Sequence, residues 1–121
     1  MINYIRIDHV HVTVPPGEEH KAQQFYANVL GFENMSRAKE LSDSSGYWFK
    51  VADIEFHIDT KGNVAKGRQH FALEISNLKE ARSHLEANDV TIMEQTLILG
   101  RQRFMFEDPW GNRIEFLEFD K

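Results

Sequence analysis

The feature that most constrains this chain is that its second half repeats its first. Asp8-His9-Val10 recurs as Gln69-His70-Phe71, 61 positions on, and Ile54-Glu55-Phe56 recurs as Ile114-Glu115-Phe116, 60 positions on. Internal repetition of this kind fixes architecture before any single element does. Halves of about 60 residues could not each bury an adequate core alone. They must share a sheet or pair with another copy.

The hydrophobic pattern repeats with the residues. Residues 4–14 alternate as a strand, with Val10, Val12 and Val14 on one face and His9, His11 and Thr13 on the other. Pro15-Pro16-Gly17 stops it. Glu18 to Leu30 then carries Ala22, Phe25, Tyr26, Val29 and Leu30 as one helical stripe ended by Gly31. Strands are predicted over 31–38, 46–51 and 54–59. The last sets Ile54, Phe56 and Ile58 against Glu55, His57 and Asp59. Residues 61–68 read as a polar linker. The same order then returns: a strand over 69–76, a helix over 77–88 with Asn77 as N-cap, and strands over 90–94, 103–107 and 112–119. Asp108-Pro109-Trp110-Gly111-Asn112 is a turn between the last two. The expectation is one domain over 1–121, with modules of about 1–60 and 69–121.

Composition removes several functions. Fourteen basic against nineteen acidic residues leave a net charge of −5. The basic residues do not cluster, so nucleic acid is not an expected partner. With no cysteine there is no disulfide framework, thiolate nucleophile, iron–sulfur cluster or cysteine-bound zinc. No apolar run has membrane-spanning length. Met1 to Val14 lacks the pattern of a signal peptide, so the cytoplasm is the expected location. Nine phenylalanines supply apolar surface for a core or a lined cavity.

The repeat singles out His9, Glu55, His70 and Glu115, one His on the first strand and one Glu on the last strand of each half. Each faces away from its strand's core side. Glu115 shares its face with Leu117 and Phe119, company that solvation does not explain. Alternation alone predicts a polar strand face, and descent of both halves from one ancestor would repeat it. Yet two imidazoles and one or two carboxylates meeting from different strands would suit Zn, Ni, Co, Mn or Fe(II), with positions left open for water or substrate. His57 lies roughly 6–7 Å from Glu55 along the same strand face, so either could be the fourth ligand, hardly both. His11 stands likewise beside His9, but its counterpart is Ala72, which favours His9. His9, His70 and Glu115 suffice for a three-ligand site.

The opening Ile7-Asp8-His9-Val10-His11-Val12-Thr13-Val14-Pro15-Pro16-Gly17, with Phe25-Tyr26 and Leu30-Gly31-Phe32, resembles that of the vicinal oxygen chelate superfamily (glyoxalase, bleomycin resistance protein, extradiol dioxygenase). The ending Phe106-Glu107-Asp108-Pro109-Trp110-Gly111-Asn112-Arg113-Ile114-Glu115-Phe116 is similar to its closing hairpin. The resemblance implies an α+β fold in which two βαβββ modules form a curved, cup-shaped mixed sheet with helices outside, commonly as a homodimer. It implies a divalent metal held by His9, Glu55, His70 and Glu115, with Glu115 or Glu55 as the proton-transfer base. The implied activity is that of an isomerase, lyase, transferase or dioxygenase on a small oxygen-bearing molecule. The alternative is a drug-sequestering binder without catalysis.

Other candidates are weaker. Gly62 to Gln69 has P-loop glycine spacing, but Arg68-Gln69 replaces the Lys-Ser/Thr. Ser36 and Ser44-Ser45-Gly46 lack a nucleophile motif. Tyr47, Trp48 and Phe49 read as core or cavity wall. Arg101 and Arg103 could meet an anionic substrate but read as solvated charge. His20 and His84 read as surface residues.

Overall fold

Each repeat folds as a strand, a helix and three further strands. The computed structural model describes residues 1–41 and 46–121. Ser44 and Ser45 therefore lie outside the described residues. The chain divides into two units, Met1–Asn63 and Val64–Lys121.

In the first unit, β1 (His9–Thr13) leads through α1 (Glu19–Gln24) to β2 (Glu33–Met35), β3 (Tyr47–Val51) and β4 (Ile54–Asp59). The sheet order is β1-β4-β3-β2. β1 runs parallel to β4, and the other neighbours are antiparallel. The second unit repeats this with β5 (His70–Glu74), α2 (Leu78–Ala87), β6 (Met93–Glu94), β7 (Arg101–Glu107) and β8 (Arg113–Phe119) in the order β5-β8-β7-β6. The fold class is α+β, two βαβββ modules.

The predicted first helix is present but changes pitch. After Gln24 it widens into a π-helical turn over Phe25–Val29, closed by Leu30 N–H donating to the Phe25 carbonyl at 3.1 Å. Gly31, at φ +76°, ends it. This turn carries the two buried aromatics Phe25 and Tyr26. The Tyr26 ring lies 4.5 Å from Phe56 and 5.6 Å from Phe32, fully buried. The core of the unit is this aromatic cluster between the helix and the β3–β4 face.

In the second unit Asn77 is the N-cap, its side chain accepting from Glu80 N–H at 3.0 Å. Leu78 N–H donates to Glu118 on β8 at 3.0 Å, tying the helix start to the sheet. Leu78 and Leu85 are buried with Phe104, Phe106, Ile114 and Phe116. The rings of Phe106 and Phe116 meet edge-on at 4.9 Å.

Three strands are shorter than their patterns suggest. β1 begins at His9, not Tyr4, because its neighbour β4 begins at Ile54 after the Ala52-Asp53 turn. Glu55 N–H to the Asp8 carbonyl, at 3.0 Å, lies just outside that ladder. Ile2, Tyr4, Ile5 and Ile7 remain exposed. β2 and β6 keep only three and two residues. Among the described residues no helix is long and apolar enough to cross a membrane.

Candidate metal-binding residues

In the second unit His70 and Glu115 meet. His70 Nε2 stands 3.1 Å from Glu115 Oε1, while its Nδ1 donates to the Arg68 carbonyl at 2.9 Å. An Nδ1–H held by a carbonyl is the usual support of a metal-bound imidazole, whose Nε2 lone pair would then face an ion placed between it and Glu115. Glu115 is only 6% exposed, and Arg103 lies 3.6 Å from the same oxygen. The Arg103 fork is itself fixed by Nε and Nη2 donating to the Thr96 carbonyl at 3.2 and 2.9 Å. A buried carboxylate thus has a cation and an imidazole beside it, as burial of charge requires.

In the first unit His9 Nδ1 lies 2.8 Å from the Asp8 carboxylate. That hydrogen bond, joined by the Arg6 charge, holds Asp8 below its ordinary carboxylate range. Both first-strand histidines are thus anchored through Nδ1. His57 Nε2 meets Glu55 Oε1 at 2.9 Å. The rings of Trp48, His57 and His9 form a stack, with 4.0 Å between the first two and 4.2 Å between the last two. An imidazole binds a cation in its own plane, so one ion cannot serve His9 and His57 while they stack. Ligation by both requires one ring to turn. His11 is drawn elsewhere, to Asp59 at 3.1 Å.

The ladders change the correspondence read from the Ile-Glu-Phe repeat. His9 lies opposite Glu55 and His11 opposite His57. His70 lies opposite Arg113, and Ala72 opposite Glu115. Aligning His9 with His70 therefore places His57, not Glu55, at the position of Glu115. Glu55 falls at the position of Arg113. The next strands agree: Lys50 faces Glu55 and Glu107 faces Arg113, a pair of opposite polarity. The physical reason is segment length: His9 and its partner Glu55 are 46 positions apart, His70 and its partner Arg113 only 43. The hairpin itself is one residue longer in the second unit, with five residues between Glu107 and Arg113 against four between Lys50 and Glu55, so the shortening falls between the first strand and β7.

The longer turn is built by Asp108. Its Oδ1 accepts from the backbone N–H of Trp110 and Asn112 at 3.0 and 2.8 Å, and its Oδ2 accepts from Asn112 Nδ2 at 2.8 Å. Asp108 and Asn112 are each 3% exposed. These motif residues set the hairpin that aims Glu115 and are consumed in doing so.

Among the described residues no three His, Asp or Glu side chains gather into one metal-holding group. The donors come as pairs within each unit. Their chemistry, neutral nitrogen and carboxylate oxygen with oriented imidazoles, fits a divalent ion.

The Glyoxalase/Bleomycin resistance protein/Dioxygenase superfamily model matches residues 6–116, and the chain belongs to that superfamily. A solved glyoxalase family protein from Bacillus anthracis is 35% identical, with 99% of this chain and 100% of that one covered and a TM-score of 0.91. Two more distant structures share the fold. Lactoylglutathione lyase from Agrobacterium tumefaciens is 18% identical over 93% of this chain and 92% of that one, at a TM-score of 0.74. TnmS3, an antibiotic binding protein from Streptomyces sp. CB03234, is 21% identical over 97% and 100%, also at 0.74. No curated protein matches the sequence.

Proposed function

We propose that the chain is a metal-dependent enzyme of the glyoxalase kind, an isomerase, lyase, transferase or dioxygenase, acting on a small molecule that offers two neighbouring oxygens. The observation that carries this reading is the shared anchoring of His9 and His70 through Nδ1. A solvated surface histidine has no need of an oriented tautomer, whereas a metal ligand does.

The ion would be divalent zinc, nickel, cobalt, manganese or iron. Its holders would be His9, His70 and Glu115, with a fourth donor from Glu55 or His57. The ladder correspondence favours His57, with Glu55 orienting it once one ring of the His9–His57 stack turns. A bound ion supplies a Lewis acid for a carbonyl or a paired-oxygen substrate. Glu115 is suited to move a proton. Its buried carboxylate touches His70 and is steadied by Arg103. Glu55, more exposed, is the other candidate base. The two modules would act as one domain, with a second copy of the chain as partner.

Metal-stripped protein titrated with each ion, with Glu115→Gln as control, tests this. Stoichiometric uptake that the substitution weakens is expected. Absence of any stoichiometric ion after reconstitution rejects it. A second reading, a cup that sequesters a small molecule without chemistry, draws support from the fold shared with TnmS3. Ligand protection in thermal melts that ignores chelators would favour it.

A further inference from the structure

Arg101 and Arg113 each have a buried Nε without a hydrogen-bond partner among the described residues, and of the two only Arg101 has no ion pair there. Arg101 opens β7 opposite Phe119, on the face that carries Arg103 and Glu115. Its guanidinium carbon sits 4.7 Å from the centre of the Phe119 ring. Its Nε is shut off from solvent and has no hydrogen-bond partner among the described residues. Of the other charges on this face, Glu74 is exposed and the rest are paired. Arg103 serves Thr96 and Glu115, Arg113 lies 3.5 Å from Glu107, and His70 meets Glu115. An orphaned buried donor calls for an explanation. A guanidinium that sits over a ring and makes no side-chain hydrogen bond among the described residues can receive a planar anion on its outer edge.

The surroundings define the rest of the ligand. Arg101 N–H donates to the Ile98 carbonyl at 3.3 Å, which brings the loop Leu97-Ile98-Leu99 alongside. Those three residues and Phe119 are exposed apolar side chains. We propose that Arg101 reads the carboxylate of an amphiphilic organic acid whose apolar body lies against Phe119 and Ile98. One uncommitted arginine matches a single planar charge better than it matches a phosphate dianion. This subsite uses none of the metal donors.

The test uses the whole chain, stripped of metal by chelator, with benzoate as probe and benzamide and inorganic phosphate as comparisons. Binding is followed by calorimetry and by the NMR shifts of the Phe119 ring protons. Benzoate should bind and move Phe119, with benzamide and phosphate each about tenfold weaker or more, the range of a charge-assisted bond. Arg101→Gln should lose the same factor, and Arg101→Lys should fall between because the fork is gone. Circular dichroism checks that both variants fold. Failure of benzoate to bind, equal binding by benzamide or phosphate, or equal binding by Arg101→Gln overturns the proposal. A protein that takes benzoate but no divalent ion would keep this subsite and reject the metal reading.

Discussion

His70 and Glu115 touch across parallel strands, although neither is the other's ladder partner: the residue opposite His70 is Arg113, and Ala72 is opposite Glu115. The contact is diagonal, 3.1 Å from Nε2 to Oε1. Cross-strand diagonals are within reach of long side chains, and the small Ala72 leaves that diagonal open. Two donors are thereby brought together without either crowding the ladder.

Glu115→Gln should weaken cobalt or zinc binding at least about a hundredfold, above the effect of losing an outer-shell group. Visible absorption of the cobalt form, or metal content after dialysis, measures it. Unchanged stoichiometry and affinity would remove Glu115 from the ligand set.

Asp8→Ala should lower metal affinity about ten- to a hundredfold, since it frees the His9 ring to turn. Its melting temperature at neutral pH should stay close to that of the parent, because Asp8 is exposed. A variant with unaltered affinity would show that anchoring of His9 serves something other than a metal.

Acidification should release the ion. Protons compete for imidazole nitrogens, so affinity should fall steeply from about pH 7 to about pH 5. A flat titration over that interval would contradict histidine ligation.

The ion pair of Arg82 and Glu94, with bonds of 2.8 and 2.9 Å, gives a separate acid limb. The hydrogen bond from Arg82 holds the Glu94 carboxyl below its ordinary range. A depressed carboxylate contributes stability that is fully present above the unfolded-state value and lost as pH falls through the folded one. Glu94→Gln should therefore melt slightly lower at pH 7, with the difference closing as acid protonates the carboxylate in the folded state as well. A gap that persists in acid would refute the pairing. The effect is small, as exposed pairs are.

Substitutions at two structural sites should cost far more. Phe56→Ala removes a fully buried ring that meets Tyr26 at 4.5 Å and Phe32 at 5.2 Å, at a cost of about 3–5 kcal/mol in urea unfolding. Gly46 adopts φ +141°, and a Cβ there would overlap the Ile58 carbonyl oxygen. Gly46→Ala should cost at least about 1–3 kcal/mol. A loss below about 1 kcal/mol at either position would contradict the packing described.

The repeat was legible because periodicity survives in single residues: Phe56 and Ile58 against His57, Phe116 against Glu115. The helix boundaries were legible through Asn77 and Gly31. What escaped was register. Matching Ile54-Glu55-Phe56 to Ile114-Glu115-Phe116 follows identity, but pairing depends on the length of every segment between the paired strands, and His70 lies three positions nearer its partner than His9 does. The Trp48–His57–His9 stack was equally hidden, since Trp48 reads as a wall residue until β3 is laid beside β4. Arg101 and Arg103 read alike as surface charge, yet one is bound to Thr96 and Glu115 and the other is left over. Neither fate is written in a local pattern.

The unequal registers have an evolutionary corollary. Strand side chains alternate with period two, so a His-to-acid correspondence displaced by two positions leaves core and polar faces undisturbed. One duplicated module could thus exchange a carboxylate for an imidazole, and reverse a flanking ion pair, while its aromatic interior stayed as inherited. A slip of a single position would have driven Phe56 into water and His57 under the helix, and no such descendant could have folded.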